Sequence, residues 1–100
     1  MTLATKPFDP AEYLTTTESQ AYLLEDALDS GDTAYLADAL GIIARARGMT
    51  DTAAKAGVTR EALYKALSPT GDPKLSTLLG VLRALGLRMR LEPIEGSEKP

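Results

Sequence analysis

GMTDTAAKAGVTREALYKAL, residues 48–67, reads as a short helix, a tight turn and a second helix. Thr50 is the expected cap of the first helix, an alanine-rich run from about Asp51 to Ala56. Ala53 is small where a larger side chain would push two packed helices apart. Gly57 supplies the turn, because glycine adopts a left-handed backbone with no Cβ clash. Val58 is expected beneath the turn. Thr59 is the expected cap of the second helix, and Glu61 lies favourably in its first turn. Leu63, Ala66 and Leu67 then point inward, while Glu61, Tyr64 and Lys65 point outward. Two helices joined in this way make the helix-turn-helix pattern, whose second helix enters the major groove of DNA.

Upstream of this stretch the spacing predicts two longer helices. Thr17 and Gln20 form a capping box that opens the first, Ala21, Leu24 and Leu28 mark its apolar face, and Gly31 ends it. Asp32 caps the next, along which Leu36, Ala39, Leu40, Ile43 and Ala44 recur at helical spacing until Gly48 stops it. Downstream, SPTGDP (68–73) is a loop. Pro73 then precedes a last helix with Leu75, Leu78, Leu79, Leu82 and Leu85 on one side, closed by Gly86. After Gly86 the period falls to two. Leu87, Met89 and Leu91 alternate with Arg88 and Arg90, a strand signature. A lone strand cannot satisfy its edges, so it is expected to pair with the N-terminal arm or with the same strand of a second subunit. The arm, residues 1–16, holds Pro7 and Pro10 and aromatic anchors at Phe8 and Tyr13, and residues 92–100 form a polar tail. The expected fold is all-α: one five-helix domain over residues 17–91 with a helix-turn-helix, plus the arm and a short C-terminal strand.

Composition narrows the function. One hundred residues, 44% hydrophobic and 25% charged, allow one modest globular core. The absence of cysteine excludes a thiolate zinc site, and the absence of histidine removes the commonest general base and metal ligand. Ser19, Ser30, Ser68, Ser76 and Ser97 have no histidine to activate them, so no enzyme, cofactor or metal site is expected. No apolar run approaches a membrane span, and no secretory signal opens the chain, so a cytoplasmic protein is expected. The net charge of −3 conceals an asymmetry. Residues 1–40 carry one lysine against eight acids, a net −7, whereas residues 41–91 carry nine bases against three acids, a net +6. Two halves of opposite sign suggest two different partners, and the helix-turn-helix pattern lies in the basic half.

The outward residues suit DNA. Arg60 stands first in the second helix and can donate two hydrogen bonds to a guanine edge. Glu61 can accept from a cytosine amine, Lys65 can reach a base or phosphate, and Tyr64 can touch a thymine methyl or a phosphate. Thr50 and Thr59 offer hydroxyls and amides to backbone phosphates. Solubility explains Arg60 or Lys65 taken singly, and loop packing explains Tyr64. Their joint placement on one face favours DNA.

Residues FDPAEYL (8–14), the GD at 31–32, ARARGMT (44–50), VTREALYKALS (58–68) and LLGVLRALGLRMRL (78–91) resemble the probable addiction module antidote proteins. These are HigA-like antitoxins of type II toxin–antitoxin pairs, with a lambda-repressor-like DNA-binding domain. The resemblance implies that the chain binds and neutralises a RelE/ParE-like (HigB-like) toxin and represses its own operon by binding double-stranded operator DNA. Thr59, Arg60, Glu61, Tyr64 and Lys65 match the family's recognition-helix stretch, and Ala53 and Gly57 match its turn. One departure is that TDTAAKAG is short for the lambda-repressor class and lacks an initial glutamine; Thr50 stands in as the phosphate clamp. Division of labour by charge assigns the toxin to residues 1–40, with Phe8, Tyr13, Leu14 and Tyr22 as apolar anchors. Leu87, Met89 and Leu91 are the candidate homodimer contacts. The alternatives are a stand-alone helix-turn-helix regulator without a toxin and, after it, a helical protein-binding adaptor.

Overall fold

The computed structural model describes residues 16–95, and every helix the spacing predicts is present among them. The described residues are all-α, with five helices and no strand. The first, α1 (Thr17–Ser30), is capped by Thr16 rather than Thr17. Thr16 Oγ1 accepts from the Ser19 N–H at 3.0 Å, and Ser19 Oγ accepts from the Thr16 N–H at 3.3 Å. Gln20, the expected partner in that box, is only 1% exposed and joins Leu24 and Ala27 on the buried face. The true box lies one residue earlier because that register turns Gln20 inward. Leu28 is correspondingly left exposed. Gly31 closes α1 at φ 70, the left-handed region.

Asp32 caps α2 (Thr33–Arg47) as expected, accepting from the Ala34 and Tyr35 N–H groups at 3.0 and 3.3 Å. Its buried face is broad, with Ala37, Ala39, Leu40, Ile43 and Ala44, because α1 packs on one side of it and α3 on another. The Tyr35 hydroxyl donates to an Asp26 carboxylate oxygen at 2.6 Å, tying α2 to α1. That hydrogen bond raises the Tyr35 pKa, since ionisation would abolish it and set two negative charges together.

The next helix, α3 (Met49–Ala56), begins one residue before the expected start. Gly48, at φ 110, takes the cap position and no side chain caps the helix. Thr50 is therefore the second helical residue, exposed and not a cap. The start at Met49 goes with burial of its side chain in the core. Gly57 turns the chain at φ 78 into α4 (Arg60–Ala66). The loop 68–73 tucks under the end of α4, where a Cβ on Gly71 would collide with the carbonyls of Ala66 and Lys65.

The last helix, α5 (Leu75–Ala84), lies on α3. Gly80 permits the approach, for a Cβ there would sit 2.9 Å from the Ala56 carbonyl oxygen. This contact sets the rotation of α5. Val81, Leu82 and Leu85 enter the core and Leu78 packs against it, while Leu79 is exposed and Leu75 is 77% exposed. The five-leucine stripe read from the sequence thus contributes three residues inward and two to the surface. The helix ends as expected at Gly86, φ 76, with the Leu87 N–H donating to the Leu82 carbonyl at 2.9 Å.

Residues 87–91 carry no strand among the described residues, which do not include residues 1–15 of the arm expected to pair with them. Leu87 packs against the core, Met89 is exposed and Leu91 is 95% exposed. Alternation alone does not make a strand, which needs a neighbouring backbone as its ladder, and the described residues supply none. Of the expected arm, residues 1–15 lie outside the described residues, with Phe8, Tyr13 and Leu14 among them.

Candidate nucleic-acid interface

Local hydrogen bonds fix how α4 is presented. At the turn, the Gly57 N–H donates to the Ala54 carbonyl at 3.2 Å and the Val58 N–H to the Ala53 carbonyl at 3.0 Å. Thr59 Oγ1 then accepts from the Ala62 N–H at 3.0 Å, which caps α4 as the sequence predicts. Leu63 and Leu67 are buried and hold the helix to the core, where Val58 also packs. With those positions inward, Arg60, Glu61, Tyr64 and Lys65 all lie exposed.

Arg60 and Tyr64, one turn apart, act as a unit. The guanidinium carbon stands 5.4 Å from the Tyr64 ring centroid, and Nη2 donates to the Tyr64 hydroxyl at 3.4 Å. This contact restrains the exposed guanidinium, whose remaining donors have no acceptor among the described residues. Glu61 and Lys65 are also one turn apart yet form no ion pair among the described residues, so both charges are available to a partner. Lys55 is differently placed. It pairs with Asp51 on α3 at 3.2 Å, an exposed i,i+4 bridge. Thr50, beside Asp51 in the first turn of α3, keeps an exposed hydroxyl.

One basic residue of the +6 region, although exposed, bonds to other parts of the fold. Arg47 Nε donates to Gln20 Oε1 at 3.0 Å, and its Nη2 donates to the Leu85 carbonyl at 2.9 Å, with Thr17 Oγ1 at 3.5 Å. It bolts α1, the end of α2 and the end of α5 together. Nothing in local spacing marks it, since its partners lie 27 and 38 residues away. Arg45, two residues earlier, faces the other way. It lines a shallow cleft of about 220 Å³ between α2 and α4, shared with Asp38, Tyr64 and Ser68.

The other expected site residues scatter. Tyr22 is 75% exposed on α1, whose outer face also exposes Glu18, Glu25 and Asp29. Met89 and Leu91 are exposed, and Met89 shares a cleft with Leu79 and Leu82 of α5 and with Leu87. Among the described residues no acidic side chains converge to hold a metal ion, and no helix is long and apolar enough to cross a membrane.

Fold and site together define a small all-α protein that presents a short, capped helix with an arginine–tyrosine face. The family model for probable addiction module antidote proteins matches residues 4–93, and the chain belongs to that family. An uncharacterised protein of Haemophilus influenzae is 44% identical over 92 residues, covering 92% of this chain and 95% of that protein. No solved structure matches the chain.

Proposed function

We propose that this protein is the antitoxin of a type II toxin–antitoxin pair, and that it represses its own operon by reading DNA with α4. Membership of the antidote family supports the antitoxin role and implies a toxin partner. The observation that carries the DNA reading is the outer face of α4, where Arg60 stacked on Tyr64 stands beside unpaired Glu61 and Lys65 on a helix pinned from behind by Leu63. In the lambda-repressor-like arrangement, α3 and α4 form the helix-turn-helix. Arg60 donates to a guanine edge, Glu61 accepts from a cytosine amine, and Lys65, Tyr64 and the Thr50 and Thr59 hydroxyls meet bases or phosphates. A homodimer sets two such helices about one helical turn of DNA apart, roughly 34 Å. The exposed apolar side chains of Leu75, Leu79, Met89 and Leu91 offer a surface for that dimer.

The toxin, of the RelE/ParE-like (HigB-like) class, is assigned to the acidic front of the molecule. The exposed face of α1 combines Glu18, Glu25 and Asp29 with Tyr22, an aromatic anchor among charges that suit a basic partner. Because α1 packs on α2 and is bolted by Arg47, cutting the chain at residue 40 would open the core. The assignment is better tested in the full chain. Reversing Glu25 and Asp29 to lysine should abolish co-purification with the neighbouring operon product while leaving promoter binding intact. Retention of that product would move the toxin surface elsewhere. The DNA reading is tested by a mobility shift on the protein's own promoter, in which binding must weaken steeply with salt. Promoter binding with no co-purifying partner would favour the stand-alone regulator.

A further inference from the structure

We infer that Arg45 on α2 is a phosphate-contacting arginine that extends the DNA interface from α4 across the adjoining cleft. The inference rests on the proposed DNA reading of α4. Tyr64, which holds Arg60, lines that cleft from α4, and Arg45 lines it from α2. Tyr64 thus contacts Arg60 on α4 and shares the cleft with Arg45 on α2. Arg45 is exposed and makes no hydrogen bond or ion pair among the described residues, in contrast to Arg47 two positions on. Gly41 lets the end of α4 approach α2, since a Cβ there would stand 3.1 Å from the Leu67 carbonyl oxygen. The Arg45 guanidinium lies beside the same spot, with Nη1 in ordinary contact range of that Cβ at 3.4 Å.

The chemistry fits a phosphate better than a base. A guanidinium presents a rigid fork of donors that matches two phosphate oxygens. Arg45 projects from α2 beside the reading helix, not from that helix, so it meets the backbone flanking the groove. Such a contact fixes register and adds affinity without sequence information. Ser68, also at the cleft, donates its hydroxyl to the Lys65 carbonyl at 2.9 Å and so serves the end of α4. Asp38 lies on the same cleft, seven residues earlier on α2 and about 10 Å along its axis. Its carboxylate repels phosphate and marks where the track ends.

The test is duplex binding by the full-length protein, on its own promoter and on a scrambled duplex, over a range of salt. Arg45→Ala should weaken both duplexes by a similar factor, keep the base preference, and make the salt slope shallower by about one unit. Between about 50 and 200 mM salt that change amounts to roughly threefold in affinity. Arg45→Lys should restore most of the slope, and Asp38→Asn should strengthen binding to both duplexes. Thermal melting of Arg45→Ala should match the parent protein, because the side chain holds nothing internal. An unchanged slope for Arg45→Ala, while Arg60→Ala loses binding, would overturn this inference and leave the reading of α4 standing. So would a lowered melting point, or a change of preference at a single base pair. Absence of salt-dependent binding by the parent protein would remove the DNA reading itself, and this inference with it.

Discussion

At the seam where α1, α2 and α5 meet, Arg47 is held by a buried glutamine and by a helix-end carbonyl. On the outer face of α4, Arg60 meets the ring and hydroxyl of exposed Tyr64 and no other side chain among the described residues. Both arginines belong to the basic half of the chain and both contribute equally to its charge. Their settings separate them. A guanidinium whose donors already have acceptors elsewhere in the fold stabilises it, and an exposed one that meets only a neighbouring tyrosine is left for a partner. Counting charge along the sequence cannot make this distinction, because it depends on acceptors brought from 27 and 38 residues away.

The largest effect that would break the comparison is on stability. Arg47→Ala should destabilise the protein by about 1.5–3 kcal/mol, since the Leu85 carbonyl and Gln20 Oε1 lose a charged donor. For a domain of this size each kcal/mol lowers Tm by about 4–8 °C, so calorimetry should see the loss readily. DNA affinity of the folded variant should not change. Arg60→Ala should behave in the opposite way, costing about 1–3 kcal/mol of operator binding and relaxing specificity at one base pair, with Tm held. A fall in Tm without a loss of binding would place Arg60 with Arg47. Thr59→Ala should cost about 1 kcal/mol by removing the cap from α4, measured by denaturant unfolding, and should weaken binding through fraying of the same helix. Asp51→Ala should be the mildest, at about 0.3–0.5 kcal/mol from the exposed bridge to Lys55. An effect several times larger would show that Asp51 does more than pair with Lys55.

Much of the candidate site was legible from local chemistry. Gly57, Thr59 and the inward pair Leu63 and Leu67 each follow from backbone preference, capping or periodicity, and those rules act within a few residues. Gly31, Asp32, Gly48 and Gly86 punctuate the helices for the same reason. The misreadings share a different cause. Thr16 rather than Thr17 caps α1, Gly48 rather than Thr50 caps α3, and in each case the register goes with burial of a neighbour, Gln20 or Met49. Leu75 and Leu79 face solvent because the contact of Gly80 with Ala56 rotates α5. Leu87, Met89 and Leu91 alternate but find no ladder among the described residues.

The sequence by itself determined five helices, where they stop, and which side of the 60–66 helix is polar, because short-range sterics and hydrogen bonding suffice for these. Tertiary structure alone decided which basic residue bonds within the fold, which leucines reach the core, and that Arg45 shares a surface with Tyr64. Each of those depends on contacts between segments distant in the chain. Such contacts exist only once α1, α2, α3 and α5 have packed, and no local pattern encodes the rotation at which they do so.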